Sequence, residues 1–263
     1  MHRILLFLLG ISWLPVVAQQ SVANEGSQAI YDQAMVNFRQ ENYGAAARLF
    51  DRYLETNTND LVEAKYYAAI SRLKSNNASG LSEVQRFISE QPIHPLAGGA
   101  NFIVGDHFFD QQDYEKAIEY YELVSKSQLS VDDQEAWLFR SAYANMSVEE
   151  LEKAKALFSQ VIDYRGDYYI DASYYLGSLN FNERSYADAL VALEPIDNNT
   201  NAYSDEVSLL IASCYFETRT YNRLYTYAET KLKTASGSGK KELNRLMGEA
   251  YYSQKNYDKA AVY

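Results

Sequence analysis

The chain ends "YYSQKNYDKAAVY", residues 251–263, and its middle carries nearly the same phrase, "FFDQQDYEKAIEYYE", residues 108–122. Tyr114 and Tyr257 stand 143 residues apart, which makes sense if other copies lie between them. Each copy sets a tyrosine, or a substitute, at the start of a second helix, with a small residue three places on. The pairs are Tyr43 and Ala46, Asn77 and Gly80, Tyr114 and Ala117, Leu151 and Ala154, Tyr186 and Ala189, Tyr221 and Leu224, Tyr257 and Ala260. Successive leading residues are separated by 34, 37, 37, 35, 35 and 36. A second small column runs nine places ahead: Ala34, Ala68, Gly105, Gly177, Ala212 and Gly248. In copy four Ser141 fills it, one place further upstream because the loop "NMSVEE" reads as longer.

Helix geometry explains these columns. In "YEKAIEYYELV" the apolar positions Tyr114, Ala117, Ile118, Tyr121 and Val124 recur on one helical face. The preceding stretch "ANFIVGDHFF" does the same, and the short polar turn "DQQD" obliges the two helices to pack antiparallel. A glycine inside a helix costs about 1 kcal/mol against alanine. Its return at Gly105, Gly177 and Gly248 therefore predicts close helix–helix contact there.

The pattern resembles the tetratricopeptide repeat, a helix–turn–helix unit of ~34 residues. The best matches are "YYLGSLNFNERSYADALVAL" and "RLMGEAYYSQKNYDKAAVY". Pro92 falls where the family's closing proline usually stands, and copies two and six are the least regular. The resemblance covers residues 27–263. It implies an all-α chain, an α-solenoid (right-handed superhelix) of about seven repeats with the last one incomplete. Because stacked repeats leave an apolar face that a terminal repeat normally covers, the chain reads as the N-terminal part of a longer protein.

Ahead of the repeats, "MHRILLFLLGISWLPVVAQQ" has a basic start, an apolar run and small residues at Val16 and Ala18, the plan of a signal peptide cleaved after Ala18. The run is too short to span a bilayer, which takes about 20 apolar residues. Gln19 stands where a bacterial lipoprotein needs cysteine, and residues 19–26 read as a short lead. The expectation is an exported protein, periplasmic or outer-membrane-associated. Removing residues 1–18 takes Arg3 and no acid, so the formal charge moves from −11 to −12. Such a chain is a poor ligand for nucleic acid or anionic lipid, which need Lys and Arg. The N-x-S/T triplets at Asn77, Asn145 and Asn198 matter only in a eukaryotic source.

Catalytic constellations are scarce. Beyond the leader only His94 and His107 remain, without metal-ligand spacing, and the lone Cys214 sits in "LLIASCYF" as a core residue. "GSGKK" lacks the upstream glycine and the Ser/Thr of a phosphate-cradling loop. The sequence thus predicts no enzyme and no cofactor.

Function then falls to the concave surface that stacking would create. Carried over from the family's groove phase, the candidate partner-binding residues are Tyr31, Phe38, Lys65, Arg72, Phe102, Asp106, Phe109, Asp171, Tyr174, Phe181, Glu206 and Phe216. In copies four to seven an acid opens the first helix: Glu135, Asp171, Glu206 and Glu242. These complement the helix dipole, and lining a groove they would favour a basic partner. The carboxylate clamp of chaperone-binding members is not expected: Lys65 has its phase, but Ala69 and Ile103 stand at the partner positions. The expected function is a protein-binding scaffold of the bacterial envelope. A glycan- or peptidoglycan-binding module, or the helical scaffold of a larger cell-wall enzyme, is the alternative.

Overall fold

The structure, a computed structural model, describes residues 14–58, 61–197, 201–235 and 237–263, with side chains from Gly26 onward. Of the expected signal peptide, residues 1–13 lie outside the described residues, as does the Asn198 triplet. The chain is all-α. Seven pairs of helices follow one another: α1 Leu14–Arg39 with α2 Tyr43–Thr56, α3 Val62–Lys74 with α4 Gly80–Glu90, and α5 Ala97–Asp110 with α6 Tyr114–Tyr121. Then come α7 Val131–Ser147 with α8 Leu151–Tyr164, α9 Tyr169–Asn182 with α10 Tyr186–Leu193, α11 Ser204–Glu217 with α12 Tyr221–Lys231, and α13 Gly237–Ser253 with α14 Tyr257–Ala260. Two compact units divide this series, the first reaching Val104 and taking in Leu123–Gln128, the second holding Gly105–Glu122 and Leu129–Tyr263. In the first, α1 packs on α2, α2 on α3 and α3 on α4. In the second, each helix from α6 to α11 packs on the next, α12 packs on α11 and α13, and α13 on α14. No described helix is long and apolar enough to cross a membrane.

One turn recurs in every pair. Glu41, Asn76, Gln112, Glu149, Arg184, Arg219 and Lys255 all take positive φ, between 56° and 65°. The amide after each of them donates to the carbonyl five residues back: Asn42 to Asn37, Asn77 to Arg72, Asp113 to Phe108, Glu150 to Asn145, Ser185 to Asn180, Thr220 to Tyr215 and Asn256 to Tyr251, at 2.9–3.0 Å. This is the Schellman closure, which satisfies carbonyls that the end of a helix leaves orphaned. It also explains the tyrosine column. The side chain two residues past the left-handed one meets the aromatic ring three residues before it, as in Phe38–Tyr43, Phe109–Tyr114, Phe181–Tyr186, Phe216–Tyr221 and Tyr252–Tyr257. Centroid separations run from 5.3 to 6.2 Å. Each tyrosine therefore clips the start of the second helix to the end of the first.

Measured from the left-handed residue, the small column of the first helices stands seven places back in every copy: Ala34, Ala69, Gly105, Ala142, Gly177, Ala212 and Gly248. This corrects the sequence reading twice. In copy two the position belongs to Ala69, not Ala68, and in copy four to Ala142, not Ser141, because the turn at "NMSVEE" has the same length as the others. Asn77 also does not begin a helix. It lies in the turn, its Oδ1 accepting from the Ser79 amide at 3.0 Å, and α4 starts only at Gly80. Asn145, of the second triplet, is buried on α7, its Nδ2 donating to the Ser141 carbonyl.

The second helices meet that column with a small residue followed four places later by a large one: Ala46 and Phe50, Gly80 and Val84, Ala117 and Tyr121, Ala154 and Phe158, Ala189 and Leu193, all buried. In copy six the sizes are exchanged, Leu224 preceding Ala228, so that total volume is kept and the irregular copy still packs. Glycine is needed where the facing residue leaves no room. A methyl group at Gly105 would strike the Tyr121 ring, and one at Gly177 would strike Leu193. Gly248 differs: its nearest neighbour would be the Ala260 carbonyl at 3.5 Å, an ordinary contact. Close packing thus accounts for two of the three glycines of that column. Gly177→Ala should destabilise the protein by about 1–3 kcal/mol, whereas Gly248→Ala should stabilise it by about 1 kcal/mol. Urea titration of the two variants checks both signs.

Candidate functional site

The turn serves as a ruler for the first helices. Ten and three places before the left-handed residue lie Tyr31 and Phe38 in copy one, Tyr66 and Leu73 in copy two, Phe102 and Phe109 in copy three. Copy four places Phe139 and Met146 there, copy five Tyr174 and Phe181, and copy six Leu209 and Phe216. Most of the expected groove residues hold this phase. Lys65 and Arg72 do not: each stands one residue early, and one residue is about 100° of helix rotation. They line a 510 Å³ cleft on the side of the second helices, with Leu54 of α2 and Glu83, Arg86 and Phe87 of α4. Arg72 is paired with Asp51 and, at 2.5 Å, with Glu83, so its charge ties α2, α3 and α4 together. Copy five has a matching cleft of 780 Å³, where Ser173 and Asn180 of α9 face Lys155 of α8 and Asp188 and Val191 of α10.

The same one-residue displacement moves Glu135. It is buried, and its carboxylate accepts the backbone amides of Asp167 at 3.2 Å and Tyr168 at 3.1 Å, just ahead of α9. It caps the next repeat and takes no part in a groove wall; Ala136 holds the phase expected of it. The other acids of that row differ among themselves. Asp171 accepts from the Tyr203 hydroxyl at 2.5 Å, Glu206 is exposed, and Glu242 is bonded by Arg245, which holds its carboxyl below the usual range.

Other candidates are structural. Phe102 is buried. Asp106, also buried, accepts from the Tyr121 hydroxyl at 2.9 Å and pairs with Arg140. Tyr31 packs edge-on against Phe50 and lies 3.5 Å from Glu63; burial and then that carboxylate push its hydroxyl up to about 12. Tyr174 stacks on Tyr203 with centroids 4.1 Å apart. Phe181 and Phe216 are turn clips.

On the first-helix side the second unit opens a groove of 460 Å³ between α5, α7 and α9. It is lined by Phe109, Asp110, Gln112, Tyr114, Phe139, Tyr143, Tyr168, Asp171 and Tyr175. The six rings are half-buried, Asp171 is half-buried, and Asp110 and Gln112 are exposed. Phe109 meets Tyr114 and Tyr143 at 5.5 and 5.7 Å with steep interplanar angles, and Phe139 stacks on Tyr168 at 4.6 Å. Of the residues named from sequence, Phe109 and Asp171 come together here. Phe139 and Tyr143 escaped notice because copy four was read one residue out of step, and correct alignment of Glu149 with Gln112 would have found them.

For chemistry, the described residues contain no group of three His, Cys, Asp or Glu placed to hold a metal. The His107 ring nitrogen is 2.7 Å from the Gln111 amide, His94 accepts from the Leu96 amide, and Cys214 is fully buried, which pushes its thiol up to about 11.

Residues 74–127 match the model of a tetratricopeptide repeat family. That stretch carries the tetratricopeptide repeat, and the helix pairs on either side of it close with the same turn. The matched stretch runs from the end of α3 past α6 and includes the turn of copy two, the copy hardest to align by eye. No curated protein matches in sequence. Among solved structures, PilF of Pseudomonas aeruginosa is 14% identical with a TM-score of 0.55, covering 84% of this chain and 97% of its own. The C-terminal part of a TPR repeat-containing protein of Cytophaga hutchinsonii is 13% identical with a TM-score of 0.60, over 85% of this chain and 92% of its own. The quorum sensor NprR of B. thuringiensis, in its apo form, is 11% identical with a TM-score of 0.50, over 91% and 74%. At these identities the likeness is one of fold.

Proposed function

We propose that the protein is a non-catalytic scaffold that binds a protein partner on the first-helix side of its repeats, in the envelope of a bacterium. The observation that carries this is the groove between α5, α7 and α9. It gathers six half-exposed aromatic rings in one concave site. Half-exposed aromatics with polar residues at the rim are the usual composition of a recognition surface. Export rests on the leader-like residues 1–18.

Two measurements test this reading. A photo-crosslinking amino acid placed at Tyr175 should give adducts with a protein in the envelope fraction of the source organism, and one at Val191, on the second-helix side, should not. Equal yields from both positions, or adducts from neither, would contradict it. Mass spectrometry of the exported protein should find the mature chain beginning at Gln19; a chain retaining Met1 in the cytoplasm would remove the envelope role.

A further inference from the structure

We infer that the aromatic groove of the second unit receives a cationic side chain, an arginine or lysine presented by an extended segment of the partner protein. The inference rests on the first-helix face being the docking surface, and adds what that surface recognises. Aromatic ring faces carry negative potential, and a cation within about 6 Å of a centroid is attracted to them. Phe109, Tyr114 and Tyr143 lie 5.5–6.0 Å apart with interplanar angles of 58–73°, so their faces turn in different directions about one space. Arg140 already demonstrates the contact: its guanidinium sits 6.0 Å from the Phe109 centroid, while the buried Asp106 holds it in an ion pair.

Charge singles out this groove among the clefts. Its lining has two carboxylates, Asp110 and Asp171, and no Lys or Arg among the described residues. Asp171 is held in place by the Tyr203 hydroxyl, and Asp110 is exposed at the end of α5. The clefts on the second-helix side carry their own cations, some of them already matched. Lys155 is bonded to Glu152 at 2.7 Å and Glu183 at 2.5 Å, and Lys231 to Asp197 at 2.8 Å. An aromatic groove with unmatched acids, on a chain of formal charge −11, is complementary to a basic segment. A sugar would want a broad open ring face, yet Phe139 and Tyr168 cover one another, and the remaining rings meet edge to face.

The test is calorimetric titration of the full chain with a blocked octapeptide of glycine and serine carrying two arginines, against its twin carrying citrulline, which keeps the shape and loses the charge. The arginine peptide should bind at least about tenfold more tightly, and its binding should weaken with added salt. Tyr143→Leu should weaken it about tenfold. Asp110→Asn, at an exposed site that leaves the fold intact, should weaken it about threefold or more. Equal affinity for the two peptides, no binding of either, or arginine binding unchanged in Asp110→Asn would overturn the inference. So would chitooligosaccharide binding in place of peptide binding. Protein adducts at Tyr175 with no preference for arginine would leave the docking face standing and remove only its charge specificity.

Discussion

Each of the seven helix pairs closes with one hydrogen bond, from the amide that follows a left-handed residue to the carbonyl five residues earlier. That bond stops the first helix, reverses the chain, and starts the second helix at a fixed rotation. Because side chains project from a helix every 100°, the closure decides which residues face the partner helix and which face away. The aromatic clip across the turn, the small column seven places upstream and the groove residues three and ten places upstream are all counted from it. A left-handed conformation is costly for a residue with a side chain. None of the seven is glycine, so surrounding contacts hold the backbone there, in five of them chiefly the ring-on-ring clip.

Packing then follows from complementary sizes. Where the first helix offers glycine, as at Gly105 and Gly177, the second brings Tyr121 or Leu193 into the space. Where the second helix carries Leu224, its later position shrinks to Ala228. Ion pairs such as Arg72 with Asp51 and Glu83 and capping carboxylates such as Glu135 fasten neighbouring helices. The groove keeps six half-exposed rings and two acids, with no described Lys or Arg in its lining.

The repeat period, the pairing of helices and the tyrosine column were legible because they are written in side-chain identity. The register within copies two and four was not. The residue that fixes it is Glu, Asn, Gln, Arg or Lys according to the copy, so no shared chemistry marks it, and only the backbone shows it. In copy two Gly80 holds the packing position one residue nearer the turn than in the other copies, which drew the alignment off by one and put Lys65 and Arg72 on the wrong face. In copy four Ser141 beside Ala142 offered two small residues for one position, and the wrong choice hid Phe139 and Tyr143 while promoting Glu135. Gly248 shows the opposite limit, a residue that matches the column without the contact that explains it elsewhere.

The claim that one turn sets the register of all seven pairs is tested most directly by amide hydrogen exchange at Asn42, Asn77, Asp113, Glu150, Ser185, Thr220 and Asn256. Each of these amides should exchange more slowly than in an unstructured peptide, Asn77 included. Free-peptide exchange at Asn77 beside protection at the others would contradict the account, since copy two would then close differently and Lys65 and Arg72 would return to the aromatic side.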